Sequence, residues 1–522
     1  MSDQGEFPAA HAAHTADTVV SAPGGASRRI LVVGVAAVAV IGAAGAGFAA
    51  GTMVGGGGTQ PEDVLPSSVV AFADLDLDPG ADQKLNVVRL LGRFPDVEEK
   101  YGPEPDLKDL LVKQFTDGTP LADADVDAWA GDRIGAALAW DSAQKALTPV
   151  LAVQVTDEAA ALQDMQAVVP DDQVTTADGY LVVTGDLSDT AGLTLNSADG
   201  TVQTQTASQI VAAGAQSSLA DSQPFSAAFD HLDDGVASLY VDGQGLAEAG
   251  KQLSSLMGGA DASLTADPFA DAERAGQTAA VIRAEPDAVE LVGWSSAAPP
   301  GGGPVSLVDG LPDSTLFAAE ATGGSDSVAE QWSRLKKVAS EGLSPHEFDR
   351  SVAQLEAQFG IRLPNDLQTL LGEDAVLAVD GDGVLSGVPG IGLRSVTDPA
   401  AGADLANRLA QTLAYLSGGF GLTAQGTDDG LVVATTQEYA DTLAAGDGGL
   451  GDSAAFKSAV PDAATATYLA WLDFSAVSGP LALAEPDAAD LIAPLNSLGL
   501  TVGPDDGGTA IRVRLVFTGR SS

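Results

Sequence analysis

The stretch that most constrains this chain is Ile30 to Val54, which holds 25 residues without a charge directly after Arg28 and Arg29. A helix rises about 1.5 Å per residue, so this stretch would extend roughly 37 Å, enough to cross a hydrocarbon core of about 30 Å. The arginines on one side, with Glu62 and Asp63 on the other, predict a cytoplasmic N-terminus. We therefore expect a single-pass protein of the plasma membrane with an extracellular main domain.

A cleaved signal peptide is the alternative, but its apolar region would span only about 7–15 residues. The longer stretch here starts late, which favours a retained anchor. The chain has no cysteine, so neither a lipid-modified cysteine nor a disulfide can contribute. Residues 1–29 are expected to form a disordered cytoplasmic tail, in which His11 and His14 are incidental rather than a metal pair, and residues 55–64 a flexible linker.

Composition excludes several classes of partner. The 522 residues carry a net charge of −48, from 72 acidic and 24 basic side chains. Nucleic acid needs a basic footprint, so we predict no nucleic-acid partner, and electrostatic docking on anionic lipid is disfavoured as well. A bound cation, a basic partner and simple solubility all remain compatible; solubility is favoured because the acidic residues are spread along the chain.

The folded part opens with an alternating segment that predicts a half-buried strand. Apolar residues from Val69 to Leu77 share one face, and Asp74, Asp76 and Asp78 share the other, which we expect to face solvent. Asp82 is expected to cap the helix that follows.

A family resemblance rests on this same opening. The run LDLDPGADQKLN, from Leu75 to Asn86, is followed by RFP at Arg93, just beyond a single N-terminal membrane stretch. In this it resembles an actinobacterial family of single-pass membrane-anchored proteins known only as a domain of unknown function. The resemblance covers most of the region beyond the membrane. It implies the topology and an actinobacterial source, and it implies no activity, cofactor or catalytic residue.

Seven segments recur in the same order at offsets between about 251 and 222 residues, which predicts a tandem duplication. LPSSVVAFADL at Leu65 recurs as LPDSTLFAAEA at Leu311, and LADSQPF at Leu219 recurs as LGDSAAF at Leu450. Residues 65–300 would form the first repeat and residues 305–522 the second. A polar surface insertion near residues 186–206 explains the change in offset, and a linker, AAPPGGGP, runs from Ala297 to Pro304.

The sequence pattern of each repeat predicts short strands joined by tight turns and interspersed with helices. Val155-Thr156-Asp157 and Val396-Thr397-Asp398 each open an Ala-rich helix, and each repeat closes with a hairpin whose turn carries Pro and Asp. The expected fold is α+β: a tandem duplication of a mixed, largely antiparallel sheet with helices on one face, after one N-terminal transmembrane helix.

Motifs for metal and phosphate binding fail at required positions. Asp74, Asp76 and Asp78 match the start of an EF-hand loop, but Pro79 and Leu85 occupy the positions that need Gly and Glu. Asp380 and Asp382 lack a downstream Glu and indicate a turn. GLAEAGK, from Gly245 to Lys251, has the spacing of a phosphate loop, yet Gln252 replaces the required Ser or Thr and the segment indicates a helix.

Catalytic motifs are equally incomplete. Ser333 and Lys336 fit S-x-x-K without its companion motifs, and the surrounding pattern indicates an amphipathic helix. Only His231 and His346 lie beyond the membrane stretch, so a Ser-His-Asp triad would have to use one of them, and no nucleophile elbow accompanies either. His231 is expected to cover a helix end. We predict no catalytic residue, no metal site and no cofactor.

Three functions stay open. The leading one is a non-catalytic binding or scaffold protein of the cell envelope, anchored by one helix, with an envelope protein or lipid as partner. The second is a carrier or sensor of an apolar ligand such as a lipid, enclosed by the two repeats. The third is a hydrolase that uses paired carboxylates, whose spacing in space the sequence does not reveal.

Overall fold

A computed structural model describes residues 58–94, 108, 126–185, 204–256, 272–299, 301–342, 345–382, 389–416, 422–476, 478 and 492–519. The membrane stretch Ile30–Val54, the tail before it and most of the expected insertion, residues 186–203, lie outside this range. Within the described residues no helix combines the length and apolar character needed to cross a membrane.

Sixteen strands form a single sheet, and every pairing between the described strands is antiparallel. The strands are β1 (Val69–Asp76), β2 (Ala130–Asp141), β3 (Ala146–Val155), β4 (Val174–Ala177), β5 (Tyr180–Thr184), β6 (Ala237–Asp242), β7 (Gln277–Ala284), β8 (Ala288–Ser295), β9 (Thr315–Thr322), β10 (Asp374–Asp380), β11 (Ile391–Val396), β12 (Thr423–Gly426), β13 (Gly430–Ala434), β14 (Tyr468–Asp473), β15 (Leu495–Asp505) and β16 (Gly508–Phe517).

Helices follow the strands in chain order. They are α1 (Pro61–Val64), α2 (Ala81–Leu91), α3 (Val126–Trp129), α4 (Glu158–Gln166), α5 (Ala207–Gly214), α6 (Gln223–Phe229), α7 (Gly243–Leu256), α8 (Ala272–Ala275), α9 (Gly324–Gly342), α10 (Pro345–Phe359), α11 (Asn365–Leu371), α12 (Pro399–Leu416), α13 (Gln437–Ala445) and α14 (Ala454–Ala459). The predicted α+β class with a largely antiparallel sheet is confirmed. The expected mixture of parallel and antiparallel pairs is wrong for the described strands.

The two halves of the sheet have the same strand order. The first half runs β4-β5-β3-β2-β1-β6-β7-β8, and the second runs β12-β13-β11-β10-β9-β14-β15-β16, so that each strand number increases by eight. The halves join where β8 pairs with β16, with Leu291 opposite Val513 near the middle of the pair. We call this pairing the seam.

Helices pack on both faces of the sheet, so the expectation of helices on one face is wrong. On β3, Val150 belongs to a core cluster with Ile210 of α5, whereas the next residue, Leu151, belongs to a cluster with Met165 of α4. Successive residues of a strand point to opposite faces, which places α4 and α5 on opposite sides. β3 is apolar on both faces for the same reason, because each of its faces meets a covering layer.

The aspartates of β1 are buried rather than solvent-facing, which corrects the sequence prediction. β1 is an inner strand, and its Asp-bearing face is covered, because Phe72 on that face is buried in a core cluster with Ile210 of α5 and Phe225 of α6. Asp74, 5% exposed, accepts a hydrogen bond from the Ser238 hydroxyl at 2.5 Å. Asp76, 7% exposed, lies 3.6 Å from the Arg133 guanidinium. The predicted capping role of Asp82 is also wrong, because the N-cap of α2 is Gly80.

The connector between the halves is docked where it approaches β9. The Val305 amide donates to the Ala466 carbonyl at 2.8 Å, and Leu307 and Val308 are buried in the core of the second half. The connector therefore forms part of the covering layer there.

Candidate functional site

An uninterrupted row of apolar side chains crosses seven neighbouring strands on one face of the sheet, through the seam. Directly paired residues of antiparallel strands share a face, so the register defines the row. Two parallel rows flank it, and together the three rows form what we call the apolar lane. The central row is Leu377, Ala319, Ala470, Leu500, Val513, Leu291 and Ile282; the flanking rows are Val379, Phe317, Leu472, Leu498, Leu515, Val289 and Ala284, and Ala375, Ala321, Tyr468, Val502, Ile511, Gly293 and Ala280.

Every member of the central row is at least partly exposed, whereas four members of the flanking rows are buried: Ala375, Ala280, Ala284 and Gly293. Leu377 is 40% exposed, and the other six members of the central row are half-buried. In β9 the contrast between faces is clear, since Phe317, Ala319 and Ala321 are half-buried while the residues between them are buried. Large apolar surfaces left open on a soluble fold mark binding sites for ligands, partners or membranes.

The composition of the apolar lane limits what it can bind. It contains no charged residue, and Phe317 and Tyr468 are its two aromatic residues. Protein interfaces are enriched in Trp, Tyr and Arg at their energetic centres. An aliphatic surface that offers shape and dispersion contacts, with few polar groups to orient a partner, suits a hydrocarbon chain better.

The opposite face carries a cleft at the seam, with a volume of about 270 Å³. Its floor includes Trp294 of β8 and Arg512 of β16, and its walls are His231, after α6, and Asp462, after α14. The His231 ring lies flat on the Trp294 indole, with centroids 4.1 Å apart and planes 3° from parallel. His231, two residues after the last residue of α6, thus packs on a strand residue, and its expected contact with the helix end stays a prediction.

An ion-pair network beside the cleft ties the halves together across the seam. Glu290 of β8, 2% exposed, accepts hydrogen bonds from Arg512 and Arg283 at 2.6 Å and from Arg514 at 3.2 Å. Burial alone would raise the pKa of Glu290, but the bonds from Arg512 and Arg283 outweigh it and hold the pKa below its usual value. One carboxylate of the first half is therefore shared by two arginines of the second.

A buried pair of carboxyls holds the connector against the second half. The Glu320 carboxylate accepts backbone N–H bonds from Ser306, Leu307 and Val308 at 2.5 to 2.7 Å. The Ser306 hydroxyl donates to Asp374 at 2.8 Å. Burial, then the charge of Asp374, raises the pKa of Glu320 to about 8. Glu320 and Asp374 are 0% and 7% exposed, so this pair stabilises a segment and is out of reach of a substrate.

The motifs singled out in the sequence do not converge on one site. Ser333 lies on α9, where its hydroxyl donates to the Ala329 carbonyl at 2.8 Å, and His346 is exposed on α10. The Gly245–Lys251 segment lies inside α7, so it is a helix rather than a phosphate-binding loop. Lys251 forms an ion pair with Glu273.

The acidic motifs make local contacts. Asp380 accepts from the Ser314 hydroxyl and from the Asp382 amide, which is the predicted turn. In the described part of the chain, no group of three His, Cys, Asp or Glu side chains is placed to hold a metal ion. The residues that sequence reasoning missed are Glu290 and Glu320. A single Glu within an otherwise apolar strand is the signal that could have identified both.

No protein-family model and no curated protein matches the chain. Two solved structures, crystal forms III and I of a protein named TP0453, align with it at 9% and 10% identity. Each alignment covers 46% of this chain and 80% of TP0453, with a TM-score of 0.22. A score this low carries no argument about fold or function. The family resemblance of the run from Leu75 to Asn86 therefore stays a prediction.

Proposed function

We propose that this chain is a non-catalytic, membrane-anchored protein of the cell envelope that binds an apolar ligand, such as a lipid, along the apolar lane. One observation carries the proposal: the central row of the lane is aliphatic, uncharged and partly exposed on every strand, and it continues through the seam into both halves. The anchor and the extracellular location rest on the sequence of Ile30 to Val54. The actinobacterial origin rests on the family resemblance.

The dimensions of the lane support a long hydrocarbon ligand. Six steps of about 4.8 Å between neighbouring strands give a central row about 29 Å long from Leu377 to Ile282. The hydrocarbon core of a bilayer, filled by two opposed acyl chains, is about 30 Å thick. A single long chain across the seam, or two shorter chains end to end, would cover the row.

A tandem duplication accounts for a lane of this kind. The shared strand order of the halves and the seven recurring sequence segments both support duplication of an ancestral eight-stranded unit. Joining two such units through β8 and β16 places the apolar faces of both side by side. The carboxylate hydrolase has least support, because Glu320 and Asp374 are buried.

The first experiment measures binding of an environment-sensitive acyl-chain probe to the full-length protein in detergent-free nanodiscs. The test variant combines Val289→Thr and Val513→Thr, which keep side-chain shape and β-branching within the lane. Each replaces a methyl group worth about 0.8 kcal/mol, so together they should weaken binding about tenfold.

Val292→Thr is the matched control, because it lies on β8 like Val289 and is half-buried, but faces the opposite side of the sheet. It should leave the affinity for the probe unchanged. Thermal unfolding of each variant confirms that the fold persists. Equal weakening by the control and the double variant, or no binding by the wild-type protein, would contradict the proposed function.

A further inference from the structure

The apolar lane carries a single polar side chain. Among its members only Tyr468, the first residue of β14, ends in a hydroxyl. Tyr468 is half-buried, and its hydroxyl forms no hydrogen bond with the residues that the structure describes. The hydroxyl of Tyr439 is enclosed without a partner on the opposite face of the sheet, whereas that of Tyr468 stays open to solvent. A ligand on the lane can therefore accept a hydrogen bond from Tyr468.

Tyr468 lies at a rim of the sheet, beside open space. It pairs with Ala321, the second-last residue of β9. The connector passes this rim, since a Cβ on Gly301 would come within 3.2 Å of the Thr467 Cβ. The next connector residues, Gly302–Gly303, are exposed, and a Cβ on either would meet nothing within 4 Å. A head group held at Tyr468 would have room beside the rim while its chain lay on the lane.

The length of an acyl chain decides its direction from Tyr468. Neighbouring strands lie about 4.8 Å apart, so the four steps from β14 to Ile282 of β7 span about 19 Å through the seam. The two steps in the other direction, to Leu377 of β10, span only about 10 Å. Two opposed acyl chains fill a hydrocarbon core of about 30 Å, so each extends about 15 Å. The lane accommodates such a chain only on the seam side of Tyr468.

The charge of the site favours an uncharged head group. No member of the lane is charged, so an ionised head beside Tyr468 would lose hydration without gaining an ion pair. An anionic head would in addition be repelled by a chain whose net charge is −48. A tyrosine hydroxyl can donate its proton to an uncharged oxygen such as an ester carbonyl.

We infer that the ligand of the apolar lane is an amphiphile whose uncharged head carries an oxygen acceptor, as in an acyl ester. The Tyr468 hydroxyl donates a hydrogen bond to this head, and the hydrocarbon chain runs from there through the seam to β7. The inference rests on the proposed function and adds to it the class of head group, the residue that positions the head and the direction of the chain.

The head group is tested with the full-length protein in nanodiscs, by displacement of the acyl-chain probe with methyl palmitate, hexadecane or hexadecyl sulfate. The three competitors share a chain length and differ in the head, and the anionic sulfate should displace the probe less well than the ester. Tyr468→Phe should weaken methyl palmitate about fivefold, the effect of one neutral hydrogen bond, and change hexadecane less than twofold. Tyr439→Phe is the matched control, since it removes a hydroxyl from the opposite face, and should leave both affinities unchanged.

The direction of the chain is tested with two variants that each remove one carbon from an end of the central row. Ile282→Val should weaken methyl palmitate about fourfold, whereas Leu377→Val should leave it unchanged. Methyl octanoate, whose chain is half as long, should respond to Tyr468→Phe and not to Ile282→Val. An unchanged unfolding midpoint checks the fold of each variant.

The outcomes separate this inference from the proposed function. If the competitors bind wild type but Tyr468→Phe leaves methyl palmitate unchanged, or weakens it and hexadecane equally, the inference is wrong and the proposed function stands. Weakening of methyl palmitate by Leu377→Val rather than by Ile282→Val would overturn the assigned direction. Failure of every competitor to displace the probe from wild type would instead contradict the proposed function.

Discussion

The ion-pair network at the seam makes the sharpest prediction about stability. Glu290→Gln removes the charge shared by Arg283, Arg512 and Arg514 while keeping the shape of the side chain. The three side chains are 17%, 27% and 19% exposed, and Glu290 is 2% exposed. The substitution therefore leaves three poorly solvated guanidiniums without their common carboxylate.

The size of the expected loss of stability depends on the carboxylate partners that each arginine keeps. Breaking a buried pair by removing one partner costs about 3–5 kcal/mol. Arg283, Arg512 and Arg514 retain Asp233, Asp462 and Asp287, but these carboxylates are 89%, 47% and 55% exposed and compensate weakly. We expect a loss near the lower end, about 3 kcal/mol, from a total that is typically about 5–15 kcal/mol.

Urea unfolding, followed by circular dichroism and tryptophan fluorescence, measures the loss as a lower midpoint. The control is Glu273→Gln, which removes an exposed carboxylate from its pair with Lys251 and should not move the midpoint. Because the pKa of Glu290 is lowered by folding, its stabilisation is present above pH 4.5 and is lost as the pH falls through the lowered pKa. The difference in unfolding midpoint between the wild type and Glu290→Gln should therefore shrink as the pH falls. Equal midpoints for the two variants would refute the role assigned to the network.

Three further predictions test other parts of the fold. Folding raises the pKa of Glu320 from 4.5 to about 8, so stability should fall as the pH rises from 5 to 9. Glu320→Gln should flatten that fall in urea titrations, and an equal pH dependence for the variant and the wild type would contradict the raised pKa of Glu320. Trp471→Ala, at a side chain 2% exposed, should cost about 3–5 kcal/mol in thermal unfolding. Asp157→Ala should cost about 1 kcal/mol because Asp157 caps α4, whereas Asp82→Ala should cost nothing measurable, since it caps no helix.

The order of elements could be predicted from local signals. Asp157 caps α4, and Asp398 accepts the Ala401 amide at the start of α12, as the recurring Val-Thr-Asp segments indicated. The closing hairpins lie where their Pro- and Asp-containing turns predicted them, between β7 and β8 and between β15 and β16. The hairpin of β4 and β5 was missed, although Asp178-Gly179, both with positive φ, is the expected turn pair.

The faces of the sheet could not be predicted. β9 is apolar at four consecutive positions, Leu316 to Ala319, so periodicity alone does not distinguish the half-buried Ala319 from the buried Ala318. The same limit caused the error at Asp74 and Asp76, where alternation predicted a solvent face but the core around Phe72 and the Arg133 side chain bury it. Which apolar face stays partly exposed depends on the pairing of strands that lie more than 200 residues apart in the sequence, as Leu291 and Val513 do.

The apolar lane is tested most directly by native mass spectrometry of the full-length protein, purified from membranes of its own host and released from mild detergent in the gas phase. The proposed function predicts an added mass that extracts into organic solvent, and that falls in the Val289→Thr, Val513→Thr variant but not in Val292→Thr. A bare protein mass for the wild type, with the fold intact, would contradict it.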